Sequence, residues 1–487
     1  MGRGRWRVTA IVAAACAVPA CAATIASAAP GATAPGAPQS AESLPARSQS
    51  LPLGARESIS AALARDSPAG TARASLRADP FVLSGVLAAK AGAGGEELGE
   101  SVAIWGHTIV VGTSHFIGPT GAEQGAAYVF TSPASGWAHA VQRAVLTASD
   151  AQGEELFGHS VAISGDTIVV GAPFREVDGR TGEGAAYVFV RPRSGWRRAT
   201  QSARLTAAGG RAHEYFGEAV AISGKTIVCG APGRRVGTDA MRGAVDVFAK
   251  PSPGWSGSPI QTAELTASDG VADDALGISV AIAGRTIVAG ADQRAVAGHS
   301  DQGAAYVFEE RRSGWHNGSD AAELTDADGQ EGELFAHAVA IAGETIVAGA
   351  PDWAAGAAVE AGAAYVFVRP DRGWHGALAQ SVRLTAADGE RGDTLGGSLA
   401  LSGDAIVAGA PDHGLGRSTE AGAVYLFERP ASGWVSATQS EELTVSGGDE
   451  GDRLGRSVAI WRGTIVAGAP DHHVGAGVAY AFRASPP

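Results

Sequence analysis

Three sets of residues in this 487-residue chain could do chemistry. The first is a series of carboxylates that returns at a near-constant interval: Glu96 and Glu97, Glu154 and Glu155, Glu214, Asp273 and Asp274, Glu331 and Glu333, Asp388 and Asp393, Asp449 and Asp452. Stretches such as Asp388-Gly389-Glu390-Arg391-Gly392-Asp393 have the look of cation loops. An Asp in a turn, however, equally well hydrogen-bonds its own backbone, and solvated turns are the expected reading. The second set is Asp412-His413 and Asp471-His472-His473, which set imidazole beside carboxylate. A transition-metal site needs a third ligand at a defined spacing; none is visible, so loop polarity is expected, and no metal or cofactor is assigned. The third set is Trp105, Trp353 and Trp461, which stand outside the regular tryptophan positions. An exposed indole can stack on a sugar ring or seat a partner's side chain, and Trp105 and Trp461 are the strongest contact candidates. With them, Asp388, Asp393, Asp449 and Asp452 are the residues expected to meet a partner.

Catalytic signatures are missing. There is no nucleophile elbow, P-loop, HExxH or zinc-spaced cysteine pattern, and abundant Ser, His and Asp do not make a triad without geometry. The chain is therefore read as a non-enzyme. A formal net charge of −13 disfavours nucleic acid as a partner. Of three cysteines, Cys16 and Cys21 lie near the N-terminus. Cys229 stands where other units have Val or Ala, so a small buried hydrophobe is expected and no intrachain disulfide.

These residues are positioned by an internal repeat. Ser160-Val-Ala-Ile-Ser-Gly-Asp-Thr-Ile-Val-Val-Gly-Ala-Pro173 recurs seven times, its glycine falling at Gly112, Gly171, Gly230, Gly290, Gly349, Gly409 and Gly468. Gly-Ala-Ala-Tyr-Val-Phe recurs with ends at Phe130, Phe189, Phe248, Phe308, Phe367, Phe427 and Phe482, and Ser-Gly-Trp-like segments at Trp137, Trp196, Trp255, Trp315, Trp374 and Trp434. Each unit reads as four short strands. Strand a is Val-Ala-Ile, and strand b is Thr-Ile-Val-Val/Ala-Gly, apolar throughout and so buried on both faces. Strand c is Ala-Ala-Tyr-Val-Phe, and strand d ends in Leu-Thr. Gly at the a–b turn supplies positive φ at little cost. Such a sheet cannot cover its own faces, and ring stacking solves that. The fold class is all-β: a seven-bladed propeller of four-stranded blades over residues 81–482.

The seventh unit contains no fourth strand after Phe482, while Leu87 lies 59 residues before Leu146. Residues 81–89 are therefore expected to complete the last blade, burying Val86 and Leu87, with 483–487 as a tail. Residues 1–29 read as a signal peptide: Arg3, Arg5 and Arg7, an apolar run, then Ala26-Ser27-Ala28. Val18-Pro19-Ala20-Cys21 offers a lipoprotein alternative that Pro19 fits poorly. Residues 30–80, rich in Ala, Pro, Ser and Gly, read as a disordered linker. Secretion or cell-surface display is expected, with no transmembrane segment.

Phe157-Gly158 followed by Gly171-Ala172-Pro173, and Phe216-Gly217 followed by Gly230-Ala231-Pro232, resemble the FG-GAP repeats that build the integrin alpha-chain N-terminal propeller and many bacterial surface proteins. Leu replaces Phe at Leu395-Gly396 and Leu454-Gly455. Gly112-Thr113-Ser114 and Gly290-Ala291-Asp292 lack the proline, Phe335-Ala336 lacks the glycine, and Asp246 replaces the strand-c tyrosine. Integrin-like repeats often carry calcium between strands a and b. Here that link is a tight turn such as Ser164-Gly165-Asp166, which cannot supply six to eight oxygens, so calcium is not carried over.

Loop lengths are uniform: 15 residues from each strand-d Leu to the next strand a, and 13 from the strand-b Gly to the strand-c Gly in six units and nine in the last. No insertion builds a catalytic pocket. In a meander the d–a and b–c loops share one face and the a–b and c–d links the other. The first face should be acidic, and the second carries Arg191, Arg193, Arg197, Arg198, Lys250, Arg311, Arg312, Arg369, Arg372 and Arg429. The expected function is an exported adhesion-type module, monomeric, presenting a loop face to a protein or extracellular-matrix partner. A lectin-like glycan binder is the alternative, and a polysaccharide lyase or hydrolase ranks third.

Overall fold

A computed structural model describes residues 81–90, 96–118, 123–133, 136–354, 360–415, 419–446 and 448–484. The signal-peptide and linker assignments lie outside them. Seven sheets, each with an antiparallel four-stranded core, follow one another around a ring. Blade 1 consists of strands a Ser101–Trp105, b Thr108–Thr113, c Ala126–Thr131 and d Val141–Leu146. Blade 2 repeats this with Val161–Ser164, Thr167–Ala172, Ala185–Val190 and Ala203–Leu205. Strands a are innermost and pack on the next blade's strand a all the way round, including blade 7 on blade 1.

Burial follows the residue pattern. In Thr167–Ala172 every residue is buried, because both faces of a middle strand meet a neighbouring blade. The clusters between sheets are built alike: Phe157, Tyr187, Phe189 and Trp196 pack on Val129, Ala144 and Leu146 of blade 1. Tryptophans at the Ser-Gly-Trp positions, such as Trp137, Trp255 and Trp374, are buried between blades. Their c–d segments also reach back to the preceding blade. Gly318–Ser319 and Gly376–Ala379 add short parallel strands beside strands d Ala263–Thr266 and Ala322–Thr325. That covers edges whose unpaired amides would otherwise invite another chain.

The glycines of the motif have one physical cause. A Cβ on Gly171 would sit 2.0 Å from the carbonyl oxygen of Gly217 in the next unit, so the two backbones touch across the blade junction. Gly217 itself has φ 89°, a region that side chains disfavour. Ser160 Oγ donates to that same carbonyl at 2.9 Å, and the equivalent bond from Ser457 to Gly99, 2.8 Å, crosses from blade 7 to blade 1. Where Ala336 replaces the glycine, it keeps φ 68° and Ser279 still donates to its carbonyl.

Phe81–Leu87 pairs antiparallel with Val478–Ala484 and completes the sheet of blade 7. Strand c thus runs two residues past Phe482. Ser84 Oγ donates to Ala481 O at 2.9 Å, and the Phe81 N–H donates to Glu441 in blade 6 at 2.8 Å. One expectation fails: Leu87 is 1% exposed, but Val86 is 55% exposed. Successive side chains on a strand point to opposite faces; Leu87 turns under blade 1, whereas the opposite face is covered by blade 6 only near Phe81 and is open at Val86.

Candidate binding surfaces at the two faces of the ring

On the a–b face the innermost strands end around a depression of about 730 Å³, within the usual range for ligand sites. Blades 3 to 7 each contribute one apolar side chain to its lining, Ile222, Ile282, Ile341, Leu401 and Ile460, interspersed with polar ones such as Ser164, Ser223 and Ser402. Trp105 and Trp461 end strand a of blades 1 and 7, where the other blades have Ser164, Ser223, Ala283, Ala342 and Ser402. Closing the ring brings them together, with ring centroids 4.1 Å apart and planes tilted by 40°. Trp105 remains 38% exposed, and the Arg462 guanidinium lies 5.6 Å over the Trp461 ring. Asp166 and Lys250 add charge to the same lining. Trp353 is not part of this surface. It is buried, with Arg383 4.9 Å over its ring.

The d–a face differs from solvated turns. Every loop buries a carboxylate at an equivalent position: Glu96, Glu155, Glu214, Asp274, Glu333, Asp393 and Asp452, with Glu218 and Asp326 buried as well in two of the loops. Twenty residues on, at the fourth position after the strand-b glycine, stands its usual partner. Arg175 Nη1 lies 2.7 Å from Glu155, Arg234 Nε 2.7 Å from Glu214 and Arg294 Nη1 3.4 Å from Asp274. His413 Nδ1 lies 2.9 Å from Asp393 and His472 Nδ1 2.8 Å from Asp452. Asp393 and Asp452 are therefore inside, not at the partner surface expected for them, whereas Asp388 and Asp449 are exposed. Asp393 and Asp452 also accept from the N–H three residues earlier, Glu390 and Asp449. Blades 1 and 5 carry Phe116 and Trp353 at the partner position. Glu96 there accepts from the Tyr128 hydroxyl at 3.2 Å. Burial and Asp326 push Glu333 up to about 7, against the pull of the Gln330 N–H and Arg383. This pairing was missed in the sequence, although the twenty-residue spacing from acid to Arg or His could have revealed it.

Blade 3 departs most. Asp246, fully buried in place of the tyrosine, lies 2.9 Å from Arg234 Nη2, and Glu264 lies 2.5 Å from Nη1. Burial pushes Asp246 up to about 7 even though Arg234 opposes it. Where strands a begin, His159 bridges three blades, with Nδ1 2.9 Å from Glu100 and Nε2 3.1 Å from Glu218. Burial disfavours the imidazolium, but Glu218 and Glu100 outweigh it and raise His159 to about 10. Burial likewise works against a charged Glu100, and His159 overcomes it, lowering Glu100 to about 2. Cys229 is fully buried, its thiol pushed up by burial and by Asp246, so it is not a reactive group.

These features define a closed seven-bladed propeller whose blades interlock through Phe/Leu-Gly and Gly-Ala-Pro segments. The FG-GAP repeat model matches residues 83–130, 140–189, 199–248, 259–308, 319–367, 378–427 and 437–482, and the chain belongs to that family. Each matched segment runs from strand d of one blade through strand c of the next, so the first begins inside the closing strand. No curated protein matches the chain. Among the described residues no helix is long and apolar enough to cross a membrane.

Proposed function

We propose that this chain is an exported, non-enzymatic binding module that seats a protein or matrix partner on its a–b face. The observation that carries the reading is the Trp105–Trp461 pair at a depression of mixed apolar and polar lining on the ring axis. Large aromatic side chains at a concave site are the usual energetic centre of an interface. Around it the c–d segments carry exposed cations, among them Arg197, Arg198, Arg311 and Arg312, which would steer an acidic partner. Uniform short loops, with no catalytic constellation assigned, favour binding over turnover.

The test is selection of peptides from a displayed random library on the intact ring. The expected outcome is enrichment of sequences with an aromatic or aliphatic anchor flanked by acidic residues, with capture lost in a Trp105→Ala/Trp461→Ala variant that melts like the parent. Equal capture by that variant would move the site elsewhere. A second reading, glycan binding, is favoured by Asp166, Ser164 and Ser223 in the same lining as the indoles, a mixture able to stack on and hydrogen-bond a sugar. A glycan array with the same variant separates the two.

A further inference from the structure

Among the described residues, Asp388, His413 and Glu442 bring one ligand atom each to within 4.8 Å of one another. They come from three elements of blade 6: the d–a loop, the b–c loop and strand d, Glu441–Leu443. Glu442 is the third ligand that local spacing could not reveal, since it joins the others only through the pairing of strand c with strand d.

Comparison with other blades shows what the place is built to hold. In blade 4 the corresponding residues are Asp269, Asp274, Arg294 and Glu323. Arg294 reaches Asp274 with Nη1 at 3.4 Å and Asp269 with Nη2 at 2.6 Å. In blade 3, Arg234 extends an arm to Glu264, the counterpart of Glu442, at 2.5 Å. Blade 6 keeps the carboxylates as Asp388, Asp393 and Glu442 but replaces arginine with histidine. His413 Nδ1 takes over the bond to Asp393 at 2.9 Å. An imidazole has no second arm, so the cationic position between Asp388 and Glu442 loses its guanidinium.

The remaining bonds are those that orient metal ligands. With Nδ1–H donating to buried Asp393, Nε2 of His413 is left as the free electron pair, the carboxylate–histidine arrangement typical of metal sites. The Tyr425 hydroxyl donates to Asp388 Oδ1 at 3.2 Å and Gln439 Nε2 to the same oxygen at 3.4 Å, and the Asp388 and Glu442 carboxylates lie within hydrogen-bonding reach of each other, a close approach that a cation between them would favour. His413 is buried while Asp388 and Glu442 are exposed, so small rotations of the two surface carboxylates about their side-chain bonds can draw the donors together. Tetrahedral bonds of about 2.1 Å place donor atoms about 3.4 Å apart. One nitrogen and two carboxylates suit zinc or a similar divalent transition metal and not calcium, which takes oxygen only.

We propose that Asp388, His413 and Glu442 bind a divalent transition-metal ion of the zinc type in blade 6, in the position that arginine fills in blades 3 and 4. The ion would keep an open position toward solvent.

The experiment is calorimetric titration of the metal-stripped full chain with Zn²⁺ and, separately, Ca²⁺. One Zn²⁺ site of micromolar affinity is expected, with no heat from Ca²⁺. Glu442→Gln should weaken Zn²⁺ binding at least about tenfold. His413→Arg should abolish it while melting like the parent, because it installs the blade-4 arrangement. His472→Asn, at the equivalent histidine of blade 7, should leave binding unchanged. Absence of a Zn²⁺ site, binding that survives both Glu442→Gln and His413→Arg, or binding lost in His472→Asn would overturn the assignment.

Discussion

Replacing Arg234 with Met strips the cation from the most heavily charged junction in the ring. Arg234 is 6% exposed by side chain, and its three nitrogens meet Glu214, Asp246 and Glu264 at 2.7, 2.9 and 2.5 Å. Two of those carboxylates are buried. Breaking a buried pair by removing one partner costs about 3–5 kcal/mol, chiefly because a charge is left uncompensated. The ring unit, Asp79–Pro487, has an unfolding entropy of about 0.9 kcal/mol/K on a per-residue scale of about 2.1 cal/mol/K. If it melts as one unit, Arg234→Met should lower Tm by about 4–6 °C at pH 8 by scanning calorimetry. The loss should depend on pH. Asp246, raised to about 7 in the parent, rises further without its partner, so the folded variant holds a proton that the unfolded chain releases. Its stability therefore falls as pH rises from the ordinary Asp value through that raised one, and the deficit against the parent shrinks toward pH 5. Arg234→Met/Asp246→Tyr, which restores the tyrosine found in blade 2 at Tyr187, should regain most of the loss. A Tm within about 1 °C of the parent at pH 8, or an equal deficit at pH 5 and pH 8, would refute the argument from charge burial.

Two further outcomes follow from the same reasoning. Deleting residues 81–90 removes the strand paired to Val478–Ala484, buried Leu87 alone being worth about 1.5–3 kcal/mol; Tm should fall markedly and the exposed edge should promote aggregation, and an unchanged melting curve would deny ring closure. The Glu100–His159–Glu218 bridge should give a pH window. His159, raised to about 10, contributes fully below the ordinary value of 6.5 and loses that contribution as pH rises toward 10. Glu100, lowered to about 2, contributes fully above 4.5 and loses it as pH falls toward 2. In denaturant titrations the gap between the parent and His159→Gln should therefore be widest between about pH 4.5 and 6.5, and a gap that does not vary with pH would exclude the bridge as its source.

Much of the architecture was legible in the residues, for reasons that are local. Seven returns of one strand pattern fix the blade number, because each copy buries its apolar middle strands only against a neighbour. The Leu87-to-Leu146 interval located the closing strand. The outward turn of Val86 was not legible, because residue types alone do not say how far the neighbouring blades extend over each face of an outermost strand: blade 1 covers Leu87, while blade 6 reaches Phe81 and leaves Val86 exposed. The carboxylates show the same limit: Asp393 and Asp388 look alike in a polar loop, yet one is sealed under His413 and the other faces solvent.

What the sequence alone determined is the repeat, and with it the strands, the glycines at the junctions and the ring. Only the tertiary structure decided which side chains from distant units meet. Trp105 and Trp461, 356 residues apart, fall in neighbouring blades on the repeat alone, but their ring contact at 4.1 Å depends on how the two strand ends are aimed. Asp388, His413 and Glu442 converge because cross-strand register, set by backbone hydrogen bonds, carries no mark in the spacing of the residues themselves.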